Sequence, residues 1–311
     1  MRVDLNYVLP ADWNLFLVGD LHLGTVLHYH KGLLKLFDML DGSYTGIEYP
    51  QYGGLPSNRN RIAYHGDQME CITIDDKRFS VETSIMGQIL ALKQECLRAL
   101  SPYKKKTLFV LKGNHEDHII NPYGDITAEL CSEMGVDYGS YTCVATYKDK
   151  NGNTQFRHFA THGGGVINSQ AKDPEQAHAN RLATLKNKLK DQMDSCFLQS
   201  MGHMHQLLIL PPHRKLSLKV KGGELKQSYT SEYLRDGENW RQDLDYIHPD
   251  HRWYINTGSF YRLYADPVKV GESVIYPTSY AEKRGLKPTE LGFAVALIRD
   301  NKLVGVEKEV V

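Results

Sequence analysis

Five short polar clusters constrain this chain more than any other feature of it. They are Gly19-Asp20-Leu21-His22, Gly66-Asp67, Gly113-Asn114-His115-Glu116, Thr161-His162-Gly163 and Gly202-His203-Met204-His205. Each follows a short apolar run that reads as a buried strand, such as Leu15 to Val18 or Thr107 to Leu111. A single Asp-x-His is common by chance and is as readily a satisfied polar group at a strand end as a ligand. Five such clusters in series would need repeated coincidence.

Their spacing is regular. Asp20 to Asp67, Asp67 to Asn114 and His115 to His162 are each 47 residues, and His162 to His203 is 41. Each gap holds about one strand, one helix and a connection, which predicts motifs at the same edge of one sheet, where sites of open α/β sheets collect. No sequence repeat accompanies the spacing. The side chains are Asp, Asn and His with no sulfur, which suits Mn²⁺, Fe, Zn²⁺, Ni²⁺ or Co²⁺ and is more nitrogen-rich than Mg²⁺ or Ca²⁺ prefer. Seven such residues are too many for one ion of four to six ligands and suit two ions sharing a carboxylate.

Between the motifs the chain alternates. Leu33, Leu34, Phe37 and Leu40 predict a helix over 31–40, and Ile85, Ile89, Leu92, Cys96 and Leu100 form one apolar stripe of a second. Helices are also expected near 126–134 and 174–193. Asn151-Gly152 predicts a hairpin turn between strands at 141–147 and 155–160. The last third reads as strands at 207–210, 216–220, 253–256, 293–298 and 303–306 with little helix, making a mixed α/β chain. The 311 residues read as a single domain, with surface insertions near 42–58 and 221–250.

Composition narrows the classes. Lys plus Arg and Asp plus Glu balance at 37 each, so no global field draws the chain to nucleic acid or membrane. Five scattered cysteines with no C-x-x-C pair argue against a disulfide framework or thiolate zinc site. No apolar run reaches the roughly 20 residues that span a bilayer. A cytoplasmic protein is expected.

The ordered set Gly-Asp-x-His, Gly-Asp, Gly-Asn-His-Glu, His and Gly-His-x-His resembles the calcineurin-like metallophosphoesterase superfamily. The motifs cover 19–205, and Ile255-Asn256-Thr257-Gly258-Ser259 resembles that family's late strand and turn. The resemblance implies a four-layer α/β/β/α sandwich of two mixed sheets, with a binuclear metal site at the strand ends. By position it assigns Asp20, His22, Asp67 and His205 to one ion and Asp67, Asn114, His162 and His203 to the other. It implies in-line attack by a metal-bridging hydroxide on a phosphate ester, with His115 contacting the phosphate and helping the leaving group depart. Glu70 stands where many members carry an acid that orients that histidine. Two divalent ions, manganese first, are the implied cofactors. Two dications less Asp20, Asp67 and a hydroxide leave about one positive charge to favour an anionic phosphoryl group.

Two positions depart from the protein phosphatases of that superfamily. Cys71 and His118 stand where those enzymes carry phosphate-gripping arginines. The expectation is therefore a phosphoesterase of bacterial or phage type leaning to phosphodiesters, nucleic acid among them. The segment from Ser279 to Gly292 looks like phage members. A phosphomonoesterase on a small substrate, or a non-catalytic interaction protein on the same fold, are the alternatives. His28 and His30 could reach substrate or be solvated loop histidines, His65 could stand behind the metal ligands or be a plain strand residue, and His158 reads as structural. The basic stretches 181–190 and 213–221 read first as solvated faces.

Overall fold

A computed structural model describes residues 1–42, 54–74, 76, 79–80, 82–83, 89–213, 216–229, 235–236 and 239–311. Most of the expected insertion at 42–58 lies outside these residues, as do Ile85 of the predicted stripe, Arg214, Lys215 and part of 221–250. Eighteen strands are present among the described residues. They are β1 Arg2–Val8, β2 Trp13–Val18, β3 Asn60–His65, β4 Thr107–Leu111, β5 Asp137–Tyr138, β6 Thr142–Lys148, β7 Thr154–Thr161, β8 Leu198–Met201 and β9 Leu207–Leu210. Then come β10 Leu216–Lys221, β11 Glu224–Tyr229, β12 Arg235–Asp236, β13 Asn239–Trp240, β14 Trp253–Thr257, β15 Val268–Val270, β16 Ser273–Ile275, β17 Gly292–Arg299 and β18 Lys302–Val310. The helices are α1 His30–Leu40, α2 Ile89–Leu100, α3 Asn114–His118, α4 Ile120–Tyr123, α5 Ile126–Met134, α6 Pro174–Leu189 and α7 Tyr280–Lys283.

Two six-stranded mixed sheets dominate, ordered β18-β17-β2-β3-β4-β5 and β1-β6-β7-β8-β14-β9. In the first, β2, β3 and β4 are adjacent and parallel. In the second, β7, β8 and β14 are. The five motifs therefore do not share one sheet, as their even spacing predicted. Three end strands of the first sheet and two end strands of the second. Strand pairing is non-local, so spacing along the chain cannot tell one sheet from two.

The strand sequences explain why the sheets pack. β2 is buried along its whole length and apolar but for Asn14, because both faces are covered. Phe16 and Val18 point into a core with Leu33, Leu36 and Leu40 of α1, Leu92 and Cys96 of α2 and Leu130 of α5. Leu15 and Leu17 join a second core with Leu5, Tyr147, Phe156, Leu198 and Ile255 from the other sheet. Val144, Phe159 and Tyr254 form a third with Leu185 and Leu189 of α6. Each fully buried Leu or Phe contributes about 1.5–3 kcal/mol, so this burial holds the two sheets in register while their ends carry polar side chains.

Local signals behave as the sequence requires. Asp125 caps α5 by accepting from the Ala128 N–H, and Gly135 ends it in the left-handed region at φ 69°. The hairpin around Asn151-Gly152 joins antiparallel β6 and β7. All five cysteines are free and buried. Among the described residues, no helix is long and apolar enough to cross a membrane.

Candidate metal centre

The ends of β2, β3, β4, β7 and β8 meet, and their backbones are stitched together. The Asp20 N–H donates to the Gly66 carbonyl at 3.0 Å and the His22 N–H to that of Asp67 at 2.9 Å. The Glu116 carboxylate, on the first turn of α3, accepts from the N–H groups of Gly113 and Met69, both at 2.9 Å, and from that of Asp67. It thus ties the second motif to the third. The strand β14 adds its following turn, where the Phe260 N–H donates to the Asp20 carbonyl at 3.0 Å.

Two glycines permit the approach. A Cβ at Gly113 would lie 2.0 Å from Asp67 Oδ1, and one at Gly66 would lie 2.4 Å from His162 Nδ1. The flanking candidate ligands carry the opposite burden. Asp20, His22, Asp67, His203 and His205 all hold φ between 50° and 68°. Among the described residues only Ser140, Asp300 and Asn301 share that non-glycine conformation. Left-handed backbone in bulky residues is costly and concentrates at functional sites.

The side chains converge in overlapping groups. Asp20, His22 and His205 form one, His22, Asp67 and His115 a second, and Asp67, His162 and His203 a third; within each, the candidate ligand atoms lie within 4.8 Å of one another. His22 Nε2 is 3.2 Å from His205 Nε2, and His205 Nε2 is 3.4 Å from Asp20 Oδ1. His162 Nε2 lies 3.3 Å from Asp67 Oδ2, 3.2 Å from His203 Nδ1 and 2.9 Å from Asn114 Oδ1. Asn114 Oδ1 is also 2.5 Å from His203 Nδ1. Ligands about 2.0–2.1 Å from one ion are themselves about 3–3.4 Å apart. The structure thus brings together all seven residues that the sequence marked, and their groups fit metal ions.

The second nitrogens support that fit. The Nδ1–H of His22 donates to Glu70 Oε2 at 2.5 Å, and that of His162 donates to the His65 carbonyl at 2.7 Å. In the neutral ring each bond leaves the Nε2 lone pair facing the cluster, as metal-bound histidines require. Burial opposes protonation of His22, but Glu70, Asp67 and Asp20 outweigh it and lift its pKa to about 9. His162 also rises to about 9, with Asp67 overcoming burial. Burial works against the Asp67 carboxylate, yet His162, His115 and His22 hold its pKa well below the usual range. The cluster is a place that favours cations.

Glu70 was expected to orient His115. It sits between two rings, nearer to His22, with Oε2 3.5 Å from His115 Nδ1. His115 Nε2 is 3.9 Å from Asp67 Oδ2, and the His115 N–H donates to Asp67 Oδ1 at 2.9 Å. The side chain of His205 is 23% exposed and so marks the open side.

His28 belongs to none of the candidate groups, and its Nδ1–H donates to the Leu21 carbonyl at 2.7 Å. His30 is exposed at the start of α1. His65 and His158 are fully buried and meet at one hydroxyl: Ser200 Oγ lies 2.6 Å from His65 Nε2 and 2.6 Å from His158 Nε2. His158 Nδ1 is 3.0 Å from the Tyr147 hydroxyl. Sequence reasoning missed Ser200, Tyr261 and the bracing role of Glu116. Of these, only Glu116 lay inside a motif. In the basic stretch, Lys186 pairs with Asp250 and Lys188 donates to the Gly164 carbonyl. No family model matches the chain and no curated protein matches it, so its chemistry rests on these residues.

Proposed function

We propose that the chain is a calcineurin-like metallophosphoesterase that hydrolyses a phosphate ester at a binuclear metal site. The observation that carries the reading is the overlap of the side-chain groups at Asp67. One carboxylate lies between the Asp20–His22–His205 group and the Asn114–His162–His203 group, as a bridging ligand should. Asp20, His22, Asp67 and His205 would hold one ion, and Asp67, Asn114, His162 and His203 the other. The three cores, lying between helices and sheet, sheet and sheet, and sheet and α6, support the α/β/β/α layering that the resemblance implies. Two divalent ions, when bound, supply an activated water at neutral pH and neutralise phosphoryl oxygens.

The chain's own residues divide the remaining work. Glu70 holds the His22 ring so that Nε2 faces inward. The His65 carbonyl does the same for His162. His115 stands beside Asp67 on the first turn of α3, placed to donate a proton to a departing alkoxide. It also lies within ligand reach of His22 and Asp67, so binding a metal is its second reading. Cys71 is buried and carries no charge toward substrate, in keeping with a substrate that needs no arginine grip.

The test is the Mn²⁺-loaded protein with bis(p-nitrophenyl) phosphate and p-nitrophenyl phosphate. The diester should be the better substrate, and Asp67→Asn should abolish turnover. Turnover unchanged in Asp67→Asn would end the binuclear reading, and a monoester-only profile would end the diester lean. His115→Ala should lose activity but keep its metal; loss of metal would make it a ligand.

A further inference from the structure

A cavity of about 230 Å³ opens directly on His22, His115 and His205. The rest of its lining is mostly apolar and aromatic, with Leu27, Ile72, Tyr261, Leu263, Ala281 and Leu286 beside the smaller polar Thr25, Ser80 and Thr83. The wall rides on segments that also build the metal cluster. Leu27 follows His22 by five residues, and the Leu27 carbonyl accepts from the Arg262 N–H at 2.8 Å. Tyr261 packs its ring on His22 and His205, with centroids 4.6 Å and 5.4 Å apart. The short helix α7 closes the far end. Ser279 caps it, accepting from the Glu282 N–H at 3.0 Å and tying the segment to the Leu263 carbonyl.

The volume falls below the ~300 Å³ at which drug-sized sites begin. It is room for one ring, not for a polymer. Among the described residues, no Lys or Arg lines it. A charged ester group placed there would meet the Glu70 carboxylate and no cationic side chain of the described residues, whereas an uncharged ring would bury apolar surface. His115, which faces the departing oxygen, is part of the same lining, so the group held there is the one that leaves.

We infer that this cavity is the leaving-group subsite, and that it selects phosphodiesters whose departing alcohol carries one uncharged ring-sized group. The inference rests on the phosphoesterase reading of the metal cluster. Leu263, Ala281 and Leu286 set the selectivity without touching the reacting atoms.

Calorimetry on the Mn²⁺-loaded protein tests it, with two phosphinate probes in which P–C bonds replace both ester bonds, benzyl(methyl)phosphinate and ethyl(methyl)phosphinate. The benzyl compound should bind at least ~10-fold more tightly, the return expected from burying a ring. Ala281→Phe, which fills the cavity, and Leu286→Trp, on the exposed lip, should each erase that ratio, while Leu286→Met should keep it. Equal affinities in the unaltered protein would overturn the subsite, as would a ratio unmoved in the folded Leu286→Trp variant. Ring-selective binding with no hydrolysis of bis(p-nitrophenyl) phosphate would leave a ring-binding cavity beside the cluster, defeat the phosphoesterase reading and overturn the leaving-group assignment with it.

Discussion

Two groups of buried histidine lie side by side in this molecule, and they are built on opposite principles. In the inner group, His65 and His158 share Ser200 Oγ, and His158 also meets the Tyr147 hydroxyl. Burial pushes the pKa of His65 down to about 4 and that of His158 well below its usual value, so both stay neutral. In the strand-end group, ring nitrogens face ring nitrogens at 3.2 Å, and carboxylates raise His22 and His162 to about 9. The inner backbone is ordinary strand; at the strand ends five of the residues sit at positive φ. One group is internally complementary. The other presents like to like, an arrangement that is costly unless a cation is to be held. Burial and histidine content do not separate the two. Hydrogen-bond complementarity and backbone strain do.

Breaking the strand-end group should have the largest effect. Asp67→Asn removes the carboxylate shared by the side-chain groups and should lower activity and metal affinity by more than ~10²-fold, since even an outer partner of a metal ligand is worth 10–100-fold. Gly113→Ala should come next. The new Cβ meets Asp67 backbone and side chain, so a stability loss of about 1–3 kcal/mol is expected together with weakened metal binding. Thermal melts with and without Mn²⁺ would read both. Glu70→Gln keeps the volume but weakens the bond to His22, and titration should show metal affinity down ~10–100-fold with the fold intact.

The inner group should answer differently. Ser200→Ala leaves two buried histidines short of a partner, so denaturant unfolding should show a loss of about 1–3 kcal/mol. Its metal content should not change. The smallest effect concerns pH. His158 has a folded pKa well below its unfolded value near 6.5, so the unfolded chain binds more protons in that window. Its contribution to stability is whole above about pH 6.5 and is lost as pH falls below it. The acid slope of the melting temperature should be shallower in His158→Gln.

Much of this was legible in the chain because it is local. The strands before each motif, the apolar stripe of α2 and the capped ends of α5 follow from period, cap and turn residues a few positions apart. The seven ligand candidates were legible too, because metal chemistry limits which side chains can recur beside glycine at strand ends. What was hidden is non-local. Nothing near Asp20 or His203 says that they end strands of different sheets. Nothing near Ser200 says that it bridges two histidines. The strand β1 was missed because only Leu5 of its seven residues is buried, which leaves no apolar run to read. The helix α3 was missed because its five residues are all polar and its start depends on Glu116 reaching back to the Gly113 N–H.

Counting metal bound per chain tests the central claim most directly. After saturation with Mn²⁺ and removal of excess, elemental analysis should find two ions per unaltered chain and per Ser200→Ala chain, and fewer than two in Asp67→Asn. No retained metal in the unaltered chain, or the same content in Asp67→Asn, would contradict it.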